Sequence, residues 1–409
     1  MSPSQPRNVV VLVIDRIGTN MLGAYGSTWF ETRNFNRLAA RSLVFDQAIS
    51  PSTDLHESYQ RLWKTDQAAD LLEQLGKHGA GSTLLTDDPS IADSDLSKSF
   101  DRVVPAAVEP SESAANSIDE TELAHFFAQA TLAISEMEPG NCLWLHSRGL
   151  SGSWDAPLDL RERLADSEDP EPPHYHLPPD KNFDADVDDP DDLLGHQQVC
   201  AAQVTMIDDF FGVILDLLDS EPEPSTLFCF VSTRGFPMGE HGLVGESNEG
   251  KLSTCYSECV HVPLMLCLPE TSDFQTTRSV RIQNLVQPEL VANWILSWYG
   301  NPAATRDKIK DITYSMPNAT TEFAFSSGSN SESIQTHAWK LIRSKSDEGE
   351  IKAELYVKPD DRWEVNDVSR RCPQIVELLS ELLDRRDPTD NSHLPPNFSL
   401  PDELAFRLD

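Results

Sequence analysis

The chain has 409 residues, is 39% hydrophobic, and carries 67 acidic against 32 basic side chains, for a formal net charge of -35 at pH 7. That length and apolar content support one large α/β domain with a smaller appendage, and they exclude a fibrous or fully disordered chain. So negative a chain repels nucleic acid and anionic membrane surfaces, and neither is an expected partner.

Val9 to Ile14 is a continuous β-branched and aliphatic run. It predicts a strand buried on both faces of a parallel sheet and ends on Asp15 and Arg16. The run is too short for the apolar region of a signal peptide, and no stretch approaches the roughly 20 apolar residues of a membrane-spanning helix. The seven cysteines (Cys142, Cys200, Cys229, Cys255, Cys259, Cys267 and Cys372) are odd in number and form no C-x-x-C pair. Neither a disulfide framework nor a zinc knuckle is indicated, and a cytoplasmic location is expected.

A helix is predicted over Asn34 to Ala40, with Asn34 as its cap and Phe35, Leu38 and Ala39 on one face. A second is expected over Asp66 to Gly76, followed by a short strand over Thr83 to Thr86, a helix over Glu120 to Met137 and a buried strand over Cys142 to His146. Leu194 to Leu218 reads as a long helix, with Thr226 to Ser232 and Val262 to Leu268 as further inner strands. This alternation predicts an α/β fold: a doubly wound, mostly parallel sheet flanked by helices. Asp87 to Ser117 and the acidic, proline-containing Asp166 to Asp192 are expected to be solvated loops.

From about residue 318 the pattern changes. Phe323 to Ser326, Trp339 to Arg343 and Ala353 to Tyr356 read as short antiparallel strands, Ile375 to Leu383 as an amphipathic helix, and Pro388 to Pro401 as an extended tail. The predicted division is therefore a large α/β domain over 1–317 and a small C-terminal α+β unit over 318–409. In open α/β sheets ligands bind beyond the carboxyl ends of the strands. Attention falls on Asp15 and Arg16, on His146 through Trp154, and on Thr233 and Arg234.

Several segments, in order, resemble the sulfatase family, which has the alkaline-phosphatase-like fold. They are Asn8 to Arg16, Leu22 to Gly26, Thr32 to Ala39, Phe45 to Ala48, Gly239 to Leu243, Lys251, Tyr256 to Glu258, Val262 to Leu264, Trp339 to Ile342 and Glu354 through Val368. The resemblance implies a formylglycine nucleophile made from a Cys or Ser, and a calcium ion held by carboxylates after the first strand and a later one. It also implies His and Lys residues that act on the ester.

This sequence departs from that pattern at each of these points. With Ser58 in register with the motif's Ser, Leu55 stands at the nucleophile position. Arg16 replaces the second carboxylate of the Asp pair, Thr233 and Arg234 stand where an Asp and its neighbour are expected, and Ser151 stands in place of the catalytic His. Lys251 is the single matched catalytic candidate. No metal ligand set remains, and both calcium and formylglycine are expected to be absent. Asp15, Arg16, His146, Arg234 and Lys251 form the candidate substrate-binding set. The two arginines are expected either to pair with Asp15 internally or to bind a small oxyanion bidentately.

Two function classes are open on this reading. One is a non-catalytic, sulfatase-like protein with a binding or regulatory role toward a small anionic ligand or a protein partner. The other is an active sulfuric ester hydrolase or phosphodiesterase using Ser52, Thr53, His56 or His241 in a non-standard site.

Overall fold

The computed structural model describes residues 7–64, 70–220, 226–245, 254–269, 279–300, 323–346 and 348–385, together with Leu404. The first strands are β1 (Asn8–Ile14), β2 (Leu43–Ala48), β3 (Ser82–Thr86), β4 (Arg102–Pro105) and β5 (Cys142–Ser147). There follow β6 (Asp180–Asn182), β7 (Thr226–Val231), β8 (Leu243–Gly245), β9 (Leu264–Cys267) and β10 (Val280–Val286). The last four are β11 (Phe323–Ser327), β12 (Ser331–Thr336), β13 (Trp339–Lys345) and β14 (Ile351–Val357).

The main sheet has eight strands in the order β10-β2-β9-β7-β1-β5-β3-β4. Its neighbours run parallel except β9, which is antiparallel to both β7 and β2. Every residue from Val9 to Ile14 is fully buried, which is why β1 reads as an unbroken apolar run. Its side chains alternate between two cores. Val10, Leu12 and Ile14 pack with Phe35, Phe126 and Phe211 from helices Arg33–Ala39, Glu122–Ser135 and Pro190–Asp219. Val9, Val11 and Val13 face Leu55, Leu75 and Trp294 from helices Leu55–Leu62, Leu71–Lys77 and Leu290–Gly300. Each such side chain contributes about 1.5–3 kcal/mol by burial, so this layering is the main cohesive term of the domain.

The mostly parallel, doubly wound prediction holds, with some local corrections. Helix Arg33–Ala39 is not capped by Asn34; Thr32 holds the cap position, and its hydroxyl accepts instead from the Gly23 N–H at 2.9 Å. The helix's first amides, of Asn34 and Phe35, are satisfied from another element: the Asp208 carboxylate accepts them at 3.0 and 2.8 Å. The helix expected over Asp66 to Gly76 is Leu71–Lys77, capped by Asp70, and residues 65–69 lie outside the described residues.

Neither acidic segment is wholly loop. Asp87 to Ser117 contains helix Pro89–Ala92 and strand β4, and Asp166 to Asp192 contains β6, paired with β8, and the start of helix Pro190–Asp219. The fully buried Arg161 pins the second segment by donating to the carbonyls of Trp154, Ala156, Pro173 and Tyr175 at 2.7–2.8 Å. Strands β2, β10 and β12 and helices Leu55–Leu62 and Leu290–Gly300 were not anticipated, because polar residues interrupt the strands and short helices carry little periodic signal.

Strands β11-β12-β13-β14 form an antiparallel sheet of four, with helix Pro373–Arg385 packed on it through Leu379, Leu382 and Leu383. The predicted 317/318 boundary and the Pro388–Pro401 tail lie outside the described residues. All seven cysteines are free thiols. No helix among the described residues is long and apolar enough to cross a membrane.

Candidate functional site

Strand β1 lies at the centre of the sheet between β5 and β7, so the chain segments leaving these three strands converge. Val13 pairs with Val231 and Ile14 with Ser147, which brings Asp15 level with Thr233 and Arg148. Asp15 is fully buried, and four donors surround its carboxylate. Thr233 Oγ1 lies at 2.6 Å, Ser151 Oγ at 2.7 Å, and Arg234 reaches it with Nε at 3.0 Å and Nη2 at 2.9 Å. Burial alone would raise the Asp15 pKa, but the Arg234 charge and hydrogen bond, then the Arg16 charge and the Thr233 hydroxyl, hold it well below the usual carboxylate range.

The third arm of Arg234, Nη1, donates to the Thr53 carbonyl at 3.0 Å. The guanidinium therefore bridges the end of β1 and the chain entering helix Leu55–Leu62. Asp54 caps that helix by accepting from the Glu57 N–H at 2.8 Å. Leu55, its first residue, is 6% exposed and packs with Tyr59 and Leu62 in the core.

Arg16 takes a different course. It has a left-handed φ of 71°, uncommon for a non-glycine residue, and its Nη1 donates to the Gly235 carbonyl at 3.4 Å. Its guanidinium lies 5.8 Å from the centre of the Phe236 ring. Of the two arginines expected beside Asp15, Arg234 makes the ion pair and Arg16 contributes its charge from further off.

His146 is fully buried one residue before the end of β5. Burial raises the Tyr59 phenol well above its ordinary pKa, and its hydroxyl shares a hydrogen bond with His146 Nδ1 at 2.5 Å. The other ring nitrogen, Nε2, lies 3.7 Å from Asp88 Oδ2. Tyr59 also feels the charges of Asp15, Asp88 and Asp87, so the pair borders the Asp15 cluster without entering it.

Among the alternative candidates, the Ser52 hydroxyl has the Glu57 carboxylate at 2.7 Å and the Ser327 carbonyl at 3.1 Å as acceptors for its one proton. His241 belongs to another cluster. Its Nδ1 meets Glu258 Oε1 at 2.8 Å, its Nε2 meets the Glu364 carbonyl at 3.0 Å, and its ring stacks on Tyr256 at 3.7 Å. Lys251 lies outside the described residues. Among the described residues, no group of three or more His, Cys, Asp or Glu side chains could hold a metal ion.

No family model matches the chain, and no curated protein matches it in sequence. Solved structures match over nearly its full length. The phosphonate monoester hydrolase of Agrobacterium radiobacter superposes with a TM-score of 0.68 at 14% identity, covering 92% of this chain and 94% of that one. A 2-O GAG sulfatase gives 0.67 at 15% identity, with coverages of 96% and 97%. A protein solved with its substrate D-glucosamine-2-N,6-O-disulfate gives 0.66 at 13%, with coverages of 93% and 97%. The chain has the sulfatase fold.

Within the sulfatase fold, Tyr59 and the Thr53 carbonyl are the participants that the sequence pattern did not assign. Tyr59 stands four residues after Leu55, one helical turn on the same face, and this spacing was the available signal. A backbone carbonyl such as that of Thr53 leaves none.

Proposed function

We propose that this is a sulfatase-fold protein without sulfuric ester hydrolase activity, a pseudoenzyme whose role is binding or regulation. The observation that carries the reading is the Arg234 guanidinium spanning Asp15 and the Thr53 carbonyl, directly ahead of the buried Leu55. A leucine side chain has no atom that can be oxidised to an aldehyde hydrate or attack sulfur. Arg234 keeps its charge at any relevant pH and already neutralises the carboxylate that a cation would need.

Calcium takes six to eight oxygen ligands, commonly with several carboxylates. Around Asp15 the other near groups are two hydroxyls that donate to it and a guanidinium, so the residues present do not fit that ion. Every arm of Arg234 described above ends on a protein acceptor, which supports the internal ion pair over an oxyanion receptor at this position.

The names of the similar structures supply the test substrates: sulfate esters, and esters of phosphorus acids. Purified protein is expected to hydrolyse neither p-nitrophenyl sulfate nor bis-p-nitrophenyl phosphate, with or without added calcium, and to carry no stoichiometric metal. Calcium-dependent turnover of either substrate would overturn the proposal.

A further inference from the structure

A cavity of about 380 Å³ lies where the β2–β10 edge of the main sheet meets the C-terminal sheet. Its lining includes Tyr25, Asp46, His261 and Arg281 from the large domain, and Gln335, Lys358 and Arg362 from the C-terminal unit. None of these residues touches Asp15. The size lies near the lower end of ordinary small-molecule sites.

Two groups in it lack a complement. Gln335 is 5% exposed, yet its Oε1 has no hydrogen-bond partner among the described residues. Buried polar atoms are nearly always paired, and a carboxamide can turn either its acceptor or its donor end to a partner. Arg362 donates to the Tyr25 carbonyl at 3.1 Å and lies 5.0 Å from the Trp363 ring, with no carboxylate at ion-pair distance among the described residues.

The other cations are answered. Arg281 Nε meets Asp46 at 2.9 Å, and Lys358 meets Glu364 at 2.8 Å. The lining nonetheless holds three cations against one carboxylate, in a chain with twice as many acidic as basic residues. His261 responds to this field. Burial first, and then the charges of Arg362, Lys358 and Lys340, push its pKa down to about 4 against the pull of the Asp46 carbonyl.

We infer that this cavity binds a small hydroxylated anion, with its charged group on Arg362 and a hydroxyl donating to Gln335. A guanidinium suits phosphate and carboxylate alike, so sugar phosphates and hydroxy acids share the required chemistry. The site is independent of the non-catalytic reading: turnover of an aryl sulfate would end that reading and leave this one standing.

The test is calorimetric titration of the full chain with glucose 6-phosphate, gluconate, glucose and inorganic phosphate. One of the two hydroxylated anions is expected to bind once per chain, with glucose and inorganic phosphate at least about tenfold weaker. Arg362→Ala and Gln335→Leu should each weaken that binding by about tenfold or more. No binding of either hydroxylated anion would overturn the inference, as would equal binding of glucose or an affinity unchanged in Arg362→Ala. Arg362 is exposed, so its replacement keeps the test intact even where the Gln335 variant does not fold.

Discussion

Asp15 and Arg234 form a pair with side chains 1% and 10% exposed, and such a pair is costly to break from one side. Removing one partner of a buried ion pair typically costs about 3–5 kcal/mol, because the other charge is left without compensation. Arg234→Met is therefore expected to lower the unfolding free energy in urea by about that amount. The double variant Asp15→Asn with Arg234→Met should recover part of the loss, and a double-mutant cycle reads the coupling.

The same pair sets an acid dependence. The folded-state pKa of Asp15 lies below its unfolded value of about 3.9, so the native state binds fewer protons there than the unfolded chain. Its contribution is complete above that value and is lost as pH falls through and below it. Asp15→Asn should lose less stability than the parent protein between about pH 5 and pH 2; parallel acid curves would remove Asp15 from this role.

At the scale of elements, helix Leu55–Leu62 packs into the core from its first residue. Leu55→Ser is expected to cost about 2–5 kcal/mol, the range of a buried leucine truncation, and to gain no turnover while Arg234 keeps its place. Hydrolysis of p-nitrophenyl sulfate by this variant would show that Leu55 alone silences the site. Arg161 acts on a longer segment, because its buried guanidinium is the common donor to four carbonyls, two of them in the acidic stretch. Arg161→Met should speed proteolytic cleavage between residues 166 and 192, measured by limited digestion, and an unchanged cleavage rate would refute the pinning role.

This scale also shows what the sequence conceals. The unbroken apolar runs of β1, β5 and β7 were legible, since a strand buried on both faces has no polar positions to hide it. Strand β10 was not, because Arg281 and Gln283 interrupt its apolar run at the sheet edge. The cap of helix Arg33–Ala39 was misread because its acceptor, Asp208, stands 174 positions along the chain from Asn34.

Across the whole molecule, the two units share a core. Ile49, Cys255, Val260 and Leu285 pack with Ala324, Ile342 and Tyr356. The buried Glu364 is tied to Lys340 at 2.9 Å and to the Ser257 N–H at 2.8 Å. Burial would raise its pKa, but Lys340 and Lys358 bring it down to about 2. Stability from this tie is complete above the unfolded glutamate value of about 4.3 and fades as pH falls toward 2. A chain ending at residue 322 would expose the apolar face now covered by Ala324, Ile342 and Tyr356. It is expected to aggregate or unfold near room temperature, as followed by light scattering and circular dichroism. A soluble, cooperatively folded fragment would show instead that the large domain stands alone.

The sequence by itself determined the layered α/β architecture, because buried parallel strands and amphipathic helices leave periodic apolar signatures wherever they occur. It also carries the identities of Leu55, Arg16, Thr233 and Arg234, on which the proposed loss of hydrolase activity rests. Only the tertiary structure decided which arginine neutralises Asp15, that His146 is committed to Tyr59, and that Gln335 and Arg362 meet across one cavity. Those outcomes depend on side-chain direction and on distances between residues far apart in the chain, and local sequence pattern carries neither.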